Sequence, residues 1–260
     1  MSTSGENPYE SPQGESLAPQ PATDGQNVVP LAAVDYMSCL TRVFESPNWI
    51  VNSLLLGIAP IVFIIGQMVS FGYLMEMIAS RVYGKSEVYP DVDLNRLGPY
   101  LTRGVWVFLA FFVAYLCTMP ISIIGAVVMI MTQAMRNEVL MVLGMLFYFG
   151  MIILAILINF LAMPPLMLRA GFLVDFSSAF DLAWIRDFAR KMWVEMLVGA
   201  IVFSLLAWLI LMAGLLLLCV GYIPALGVVT LMAANFIAQL YQVFIYRGGQ
   251  PIPFRESAKL

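Results

Sequence analysis

Histidine is absent from all 260 residues, which removes the commonest general base and the commonest protein metal ligand. Charge is also scarce. Only 11% of the residues are charged, against about a quarter in a soluble domain, so water is not the main solvent of this chain. Lys and Arg are too few and too scattered for a phosphate-binding surface, and the net charge is -3; a nucleic-acid partner is therefore excluded. The three cysteines, Cys39, Cys117 and Cys219, are far apart and form neither a C-x-x-C site nor a disulfide framework. They read as buried small hydrophobes. Residues 1–30 hold four acids, no base and few apolar residues, and a segment of that kind cannot offset the entropy of ordering. A disordered polar tail is expected. It offers neither the basic start nor the apolar stretch of a signal peptide, so insertion is expected to be directed by the later apolar segments.

What is abundant is apolar sequence, at 61% of the chain. Crossing a bilayer takes about 20 such residues. The runs place spans near 49–79, 104–134, 138–168, 193–219 and 224–246, with Pro60, Pro120 and Pro164-Pro165 as kink positions. The expected fold class is all-α, a polytopic transmembrane helix bundle of about five spans with amphipathic interfacial helices. The divisions are a tail over 1–30, an amphipathic helix over 31–46, a transmembrane helical domain over 47–247 and a short polar C-terminal tail over 248–260. In the amphipathic helix, Ala33, Tyr36, Met37, Leu40, Val43 and Phe44 share a face opposite Asp35, Ser38, Arg42 and Glu45. It either packs on the bundle or lies in the lipid interface. A second surface helix is expected where Ser178 and Asp181 resemble a capping box and Phe180, Trp184, Ile185, Phe188 and Met192 gather on one side.

Orientation follows from the cations. Under five spans, eleven of the thirteen Lys and Arg fall in loops 80–103 and 169–191 and in the C-terminal tail, with Arg42 and Arg136 opposite. The basic loops are thus expected to be cytoplasmic. This puts the N-terminus outside, whereas a tail without a signal more often stays inside. The conflict disappears if the first apolar segment, with Gly57, Pro60, Gly66 and Gly72, dips in and returns, leaving four full crossings. A single kinked helix is the favoured form, because about 31 residues are too few for two full crossings. A short echo between Asp93-Leu94-Asn95-Arg96 and Asp181-Leu182-Ala183-Trp184, each leading to a Trp-containing span, reads as two independent loops or a diverged duplication.

Pro47-Asn48-Trp49 leading into an apolar span, Gly72-Tyr73 near its end, then Gly84, Tyr89-Pro90-Asp91 and a span start containing Gly104 resemble the bacterial membrane family catalogued as domain-of-unknown-function family 4013. The resemblance covers about residues 40–245. It implies an integral membrane protein and carries no activity, cofactor or site residue. Asn7-Pro8-Tyr9-Glu10-Ser11-Pro12 is similar to a short motif at the N-termini of many proteins of one bacterial lineage, which implies a bacterial cell membrane.

No catalytic, cofactor-binding or metal-ligating constellation is expected. Glu76, Glu138 and Glu195 sit near segment ends, where headgroup water solvates them. The Ser and Tyr hydroxyls have no His and no evident Lys partner, so an enzyme is the weakest class. The eighteen Met residues are spread over most segments, as packing residues are rather than as a copper ladder. The most specific polar signal is Asn235, Gln239 and Gln242, extended by Tyr246, on one face of the last span. Asn159, Asn52 and Gln67 are the candidate partners on other spans. The stripe is either interhelical glue or the wall of a cavity for an uncharged or lipid-headgroup ligand. Two functional classes follow: a structural or interaction protein of the envelope membrane that holds lipid, protein partners or a second copy, or a transporter or channel-like subunit.

Overall fold

The computed structural model describes residues 28–84, 88–217 and 220–253; the expected tail over 1–30 lies almost wholly outside them. The chain folds into α1 (Tyr36–Thr41), α2 (Trp49–Ile58), α3 (Phe63–Val82), α4 (Leu97–Ala134), α5 (Glu138–Leu173), α6 (Leu182–Leu216) and α7 (Tyr222–Tyr246), with no strand among the described residues. Five helical stretches are long and apolar enough to cross a membrane, the first being Trp49–Val82. The protein is an all-α polytopic helix bundle.

Local sequence sets the helix ends. Asp35, Asn137 and Asp181 are N-caps whose side chains accept from the free N–H groups of α1, α5 and α6. Asp93 does the same for the 3₁₀ turn Leu94–Arg96, so the two echoing connectors share a capping device. The surface helix expected around residue 185 is not separate: Asp181 starts α6, which runs unbroken to Leu216. Ser178 is not its cap, since its N–H and Oγ bond to Asp175. In the same way α4 starts at Leu97 and continues through Pro120, and α5 continues through Pro164 and Pro165.

The first apolar segment is a hairpin rather than one kinked helix. Gly57 of α2 meets the Ile223 carbonyl and Gly227 of α7 meets the Ser53 carbonyl, so α2 runs antiparallel to α7 with backbones in contact. Gln242 near the other end of α7 donates to the Arg81 carbonyl at 3.1 Å, so α3 returns along α7 in the opposite sense to α2. The reversal is the 3₁₀ turn Ala59–Val62, where Pro60 has no N–H to give, followed by Phe63 at φ 54°. That φ costs a non-glycine residue on the order of 1–3 kcal/mol. Ten residues of α2 rise only about 15 Å, so this arm ends at the 3₁₀ turn. The re-entrant form therefore replaces the favoured single span.

The tips of three helical hairpins, at residues 59–63, at 135–137 and where α6 gives way to α7, lie away from a common base. The base carries a buried core of Tyr73, Tyr89, Tyr100, Phe172, Phe188, Tyr241 and Phe244. Beyond it α4 and α5 pair with each other: Gly125 lies on Met151, Gly144 on Thr132. Their outer surfaces present Phe112, Ile123, Ile130, Leu146, Ile153 and Ile156. A helix apolar on its outside is a helix in lipid. Cys117 is exposed on this surface, Cys39 is buried at the base and Cys219 lies outside the described residues; the expectation of buried cysteines fails at Cys117 because α4 has lipid in place of a neighbour there.

Candidate functional site

Asn235, Gln239 and Gln242 are 2%, 2% and 6% exposed, on the face of α7 that meets the N-terminal segment. Asn235 Nδ2 donates to the Cys39 carbonyl at 3.1 Å. Gln239 Oε1 accepts from the Asp35 N–H at 2.8 Å while its Nε2 donates to Ser38 Oγ at 2.7 Å. Gln242 Nε2 reaches the Arg81 carbonyl. The partners are thus α1 and the end of α3, and not Asn52, Gln67 or Asn159. Tyr246 is exposed, so the stripe ends at Gln242. Asn235 Oδ1 is buried with no partner among the described residues.

Helix α1 therefore packs on the bundle. Cys39 and the following Val43 are fully buried, the Tyr36 ring lies 6.1 Å from that of Phe236, and the Tyr36 hydroxyl donates to the Glu195 carbonyl. Met37 and Phe44 turn outward. The face is rotated from the one expected because α7 supplies amides that hold the α1 backbone. Burial, and then the nearby Asp35 carboxylate, push the Cys39 thiol up to about 12.

Asn52 belongs to a second polar cluster that sequence reading missed. The Asp91 carboxylate accepts from Ser46 Oγ at 2.8 Å, Asn48 Nδ2 at 2.7 Å and Asn52 Nδ2 at 2.9 Å. Asn52 Oδ1 in turn accepts from the Val92 N–H at 3.0 Å. The Tyr73 hydroxyl donates to the Pro90 carbonyl and the Tyr89 hydroxyl to the Val43 carbonyl. Desolvation works to raise the Asp91 carboxyl, but the three donated hydrogen bonds prevail and hold it below its ordinary value. Tyr89-Pro90-Asp91 read from sequence only as a turn. The available signal was a second group of polar residues, Ser46, Asn48 and Asn52, at the start of an apolar run.

Glu76 pairs with Arg96 at 2.7 Å, Asp181 with Arg169 at 3.1 Å, Glu195 with Arg247 and Glu45 with Arg81. These pairs ring the base, and Arg103 is buried on α4 in the field of Glu76. Residues 248–253 dock there as well: the Ile252 N–H donates to the Tyr241 hydroxyl and Trp184 Nε1 to the Gln250 carbonyl. Chemically, both clusters supply cohesion. Most of their hydrogen-bonding groups are turned on one another, Asn235 Oδ1 being left without a partner among the described residues.

Asn159 stands apart on α5. Its Nδ2 donates to Thr118 Oγ1 of α4 at 2.8 Å and to the Ala155 carbonyl at 2.9 Å. It lines a groove of about 430 Å³ between α4 and α5. The motifs that carried the family resemblance meet at the base of the first hairpin, where Asn48, Tyr73 and residues 89–91 are joined and Gly72 and Gly104 allow α3 and α4 to touch. Comparison finds no matching curated protein and no matching solved structure. Residues 55–221, more than half of the chain but narrower than the resemblance had implied, match the family model described as Protein of unknown function (DUF4013), and the chain belongs to that family.

Proposed function

We propose that the protein is a non-catalytic structural or interaction component of a bacterial cell membrane, inserted from its basic side as three helical hairpins. The observation that carries this reading is the closure of the amide stripe. Asn235, Gln239 and Gln242 each turn an amide N–H, and Gln239 also its carbonyl oxygen, onto the segment of α1 and its cap or the end of α3. A transport path along α7 would need those groups turned to water or solute instead. The orientation places residues 80–103, 169–191 and both termini in the cytoplasm. Arg42 then joins the basic side, and the conflict between the cation count and the unsignalled N-terminus is removed. Its partners are membrane lipids and protein neighbours or a second copy, and no nucleic acid.

Reconstitution tests the choice between the two classes. Proteoliposomes should retain trapped ions and small uncharged solutes as well as protein-free vesicles do, and crosslinking in native membranes should capture discrete protein neighbours. Solute flux that is lost in Gln239→Leu would overturn this reading in favour of a transporter.

A further inference from the structure

The geometry points to the α4–α5 groove as a binding site for a neutral amphiphile: an apolar body with a hydroxyl that donates a hydrogen bond to Asn159 Oδ1. The inference rests on the membrane placement proposed above.

The orientation of the Asn159 amide is fixed. A main-chain carbonyl can only accept, so the atom 2.9 Å from the Ala155 carbonyl must be the NH₂ group. Its other proton goes to Thr118 Oγ1, whose own hydroxyl is turned onto the carbonyls of Ala114 and Tyr115 at 3.2 and 3.0 Å. Both donors of the amide are thus committed. Among the described residues Oδ1 has no partner, and it is left as a bare acceptor. Fourteen residues of helix separate Asn159 from the end of α5, about 20 Å along the axis, so this acceptor lies well inside the apolar layer. An amide oxygen there has no water and is costly unless a donor comes to it.

The surroundings say what brings the donor. The groove volume is ample for part of a lipid and too small for a folded partner. Its walls are apolar side chains, among them Phe111, Met119, Ile152, Ile156 and Phe160, with the Ser122 hydroxyl one turn beyond Thr118. Tyr115, Met119, Ile156 and Met163 at its rim are exposed, so it opens sideways to lipid. No charged side chain lines it. A headgroup with formal charge would be stranded at this depth, whereas a hydroxyl both satisfies Oδ1 and leaves its chains along the walls. The ligand class is therefore a hydroxylated neutral lipid such as a diacylglycerol.

The test uses the full-length protein in vesicles of phosphatidylethanolamine and phosphatidylglycerol, with two photoreactive probes of identical acyl chains, a diacylglycerol and a phosphatidylcholine. The diacylglycerol should label residues 111–122 and 152–163 several-fold more than the phosphatidylcholine does, and unlabelled diacylglycerol should compete. Asn159→Leu should lower that labelling about fivefold, the ratio expected for one neutral hydrogen bond. Ile156→Trp, which fills the groove from its lipid-facing rim and leaves the amide in place, should lower it as well and covers the case in which Asn159→Leu does not fold. Equal labelling by both probes, labelling unchanged in both variants, or crosslinks at these residues to a second copy would each overturn the proposal. Extraction with alkaline carbonate separates the two readings: release of the wild-type chain from vesicles sinks the membrane placement, while retention with unselective labelling sinks the groove alone.

Discussion

Asn52 and Tyr73 sit on opposite arms of one apolar stretch and bond to neighbouring residues of the same loop, Asn52 to Asp91 and Val92, Tyr73 to Pro90. A continuous helix would hold them about 30 Å apart. The fold-back brings them level and makes the loop a clasp across the mouth of the hairpin.

Topology is the first consequence. In a chain whose own cysteines are replaced by alanine, single cysteines at residues 30, 88, 178 and 250 should all be shielded from an impermeant thiol reagent in intact cells. Arg136→Cys at the tip of α4–α5 should react. Reaction at residue 30 with shielding at 88 would restore the single crossing.

Loss of the clasp is the second. Asp91→Ala removes the acceptor of three hydrogen bonds at a site open to water, and should cost about 1 kcal/mol. The sign with pH follows from the lowered carboxyl: a folded-state value below the unfolded one contributes stability that is complete above the ordinary carboxylate range. That contribution is lost as pH falls below about 4. Thermal melts in detergent should show the acid-side loss in wild type and a smaller one in Asp91→Asn.

Cys39 is a built-in probe of the stripe. Buried and held protonated, its thiol should react slowly with a membrane-permeant maleimide in a chain lacking the other two cysteines. Gln239→Leu strips the Asp35 N–H and the Ser38 hydroxyl of their partner, a loss of about 0.6 kcal/mol per bond on average in a membrane setting. It should speed Cys39 labelling several-fold by loosening α1. Unchanged labelling would mean that apolar packing alone holds that helix.

The α3–α4 crossing gives a contrast between two glycines. A Cβ at Gly104 would meet the Met68 carbonyl oxygen at 1.6 Å, while a Cβ at Gly98 meets nothing within 4 Å. Gly104→Ala should force the two backbones apart and cost about 1–3 kcal/mol. Gly98→Ala should be neutral or stabilising by up to about 1 kcal/mol, from helix propensity. Urea melts of the two variants in one detergent decide it, and equal effects would rule out the close crossing.

By itself the sequence determined the solvent, the class and the apolar segments. Water and lipid sort residues by composition, and a run of some 20 apolar residues is read locally, as in α4 and α5. The caps at Asp35, Asn137 and Asp181 act within three residues and are local too, yet a capping motif is read from the sequence in the last stretch alone, with Ser178 instead of Asp181 as the cap. Only the tertiary structure decided which polar groups meet. The partners of Gln239 are about two hundred positions away in sequence, and those of Asp91 about forty. A helical period says which residues share a face and nothing about what packs on it. The same limit explains the first hairpin: Pro60 marks a break in either form. The course of α2 is fixed by glycine contacts with α7, and the return of α3 by the Gln242–Arg81 bond and the clasp, all of which exist once the chain has folded.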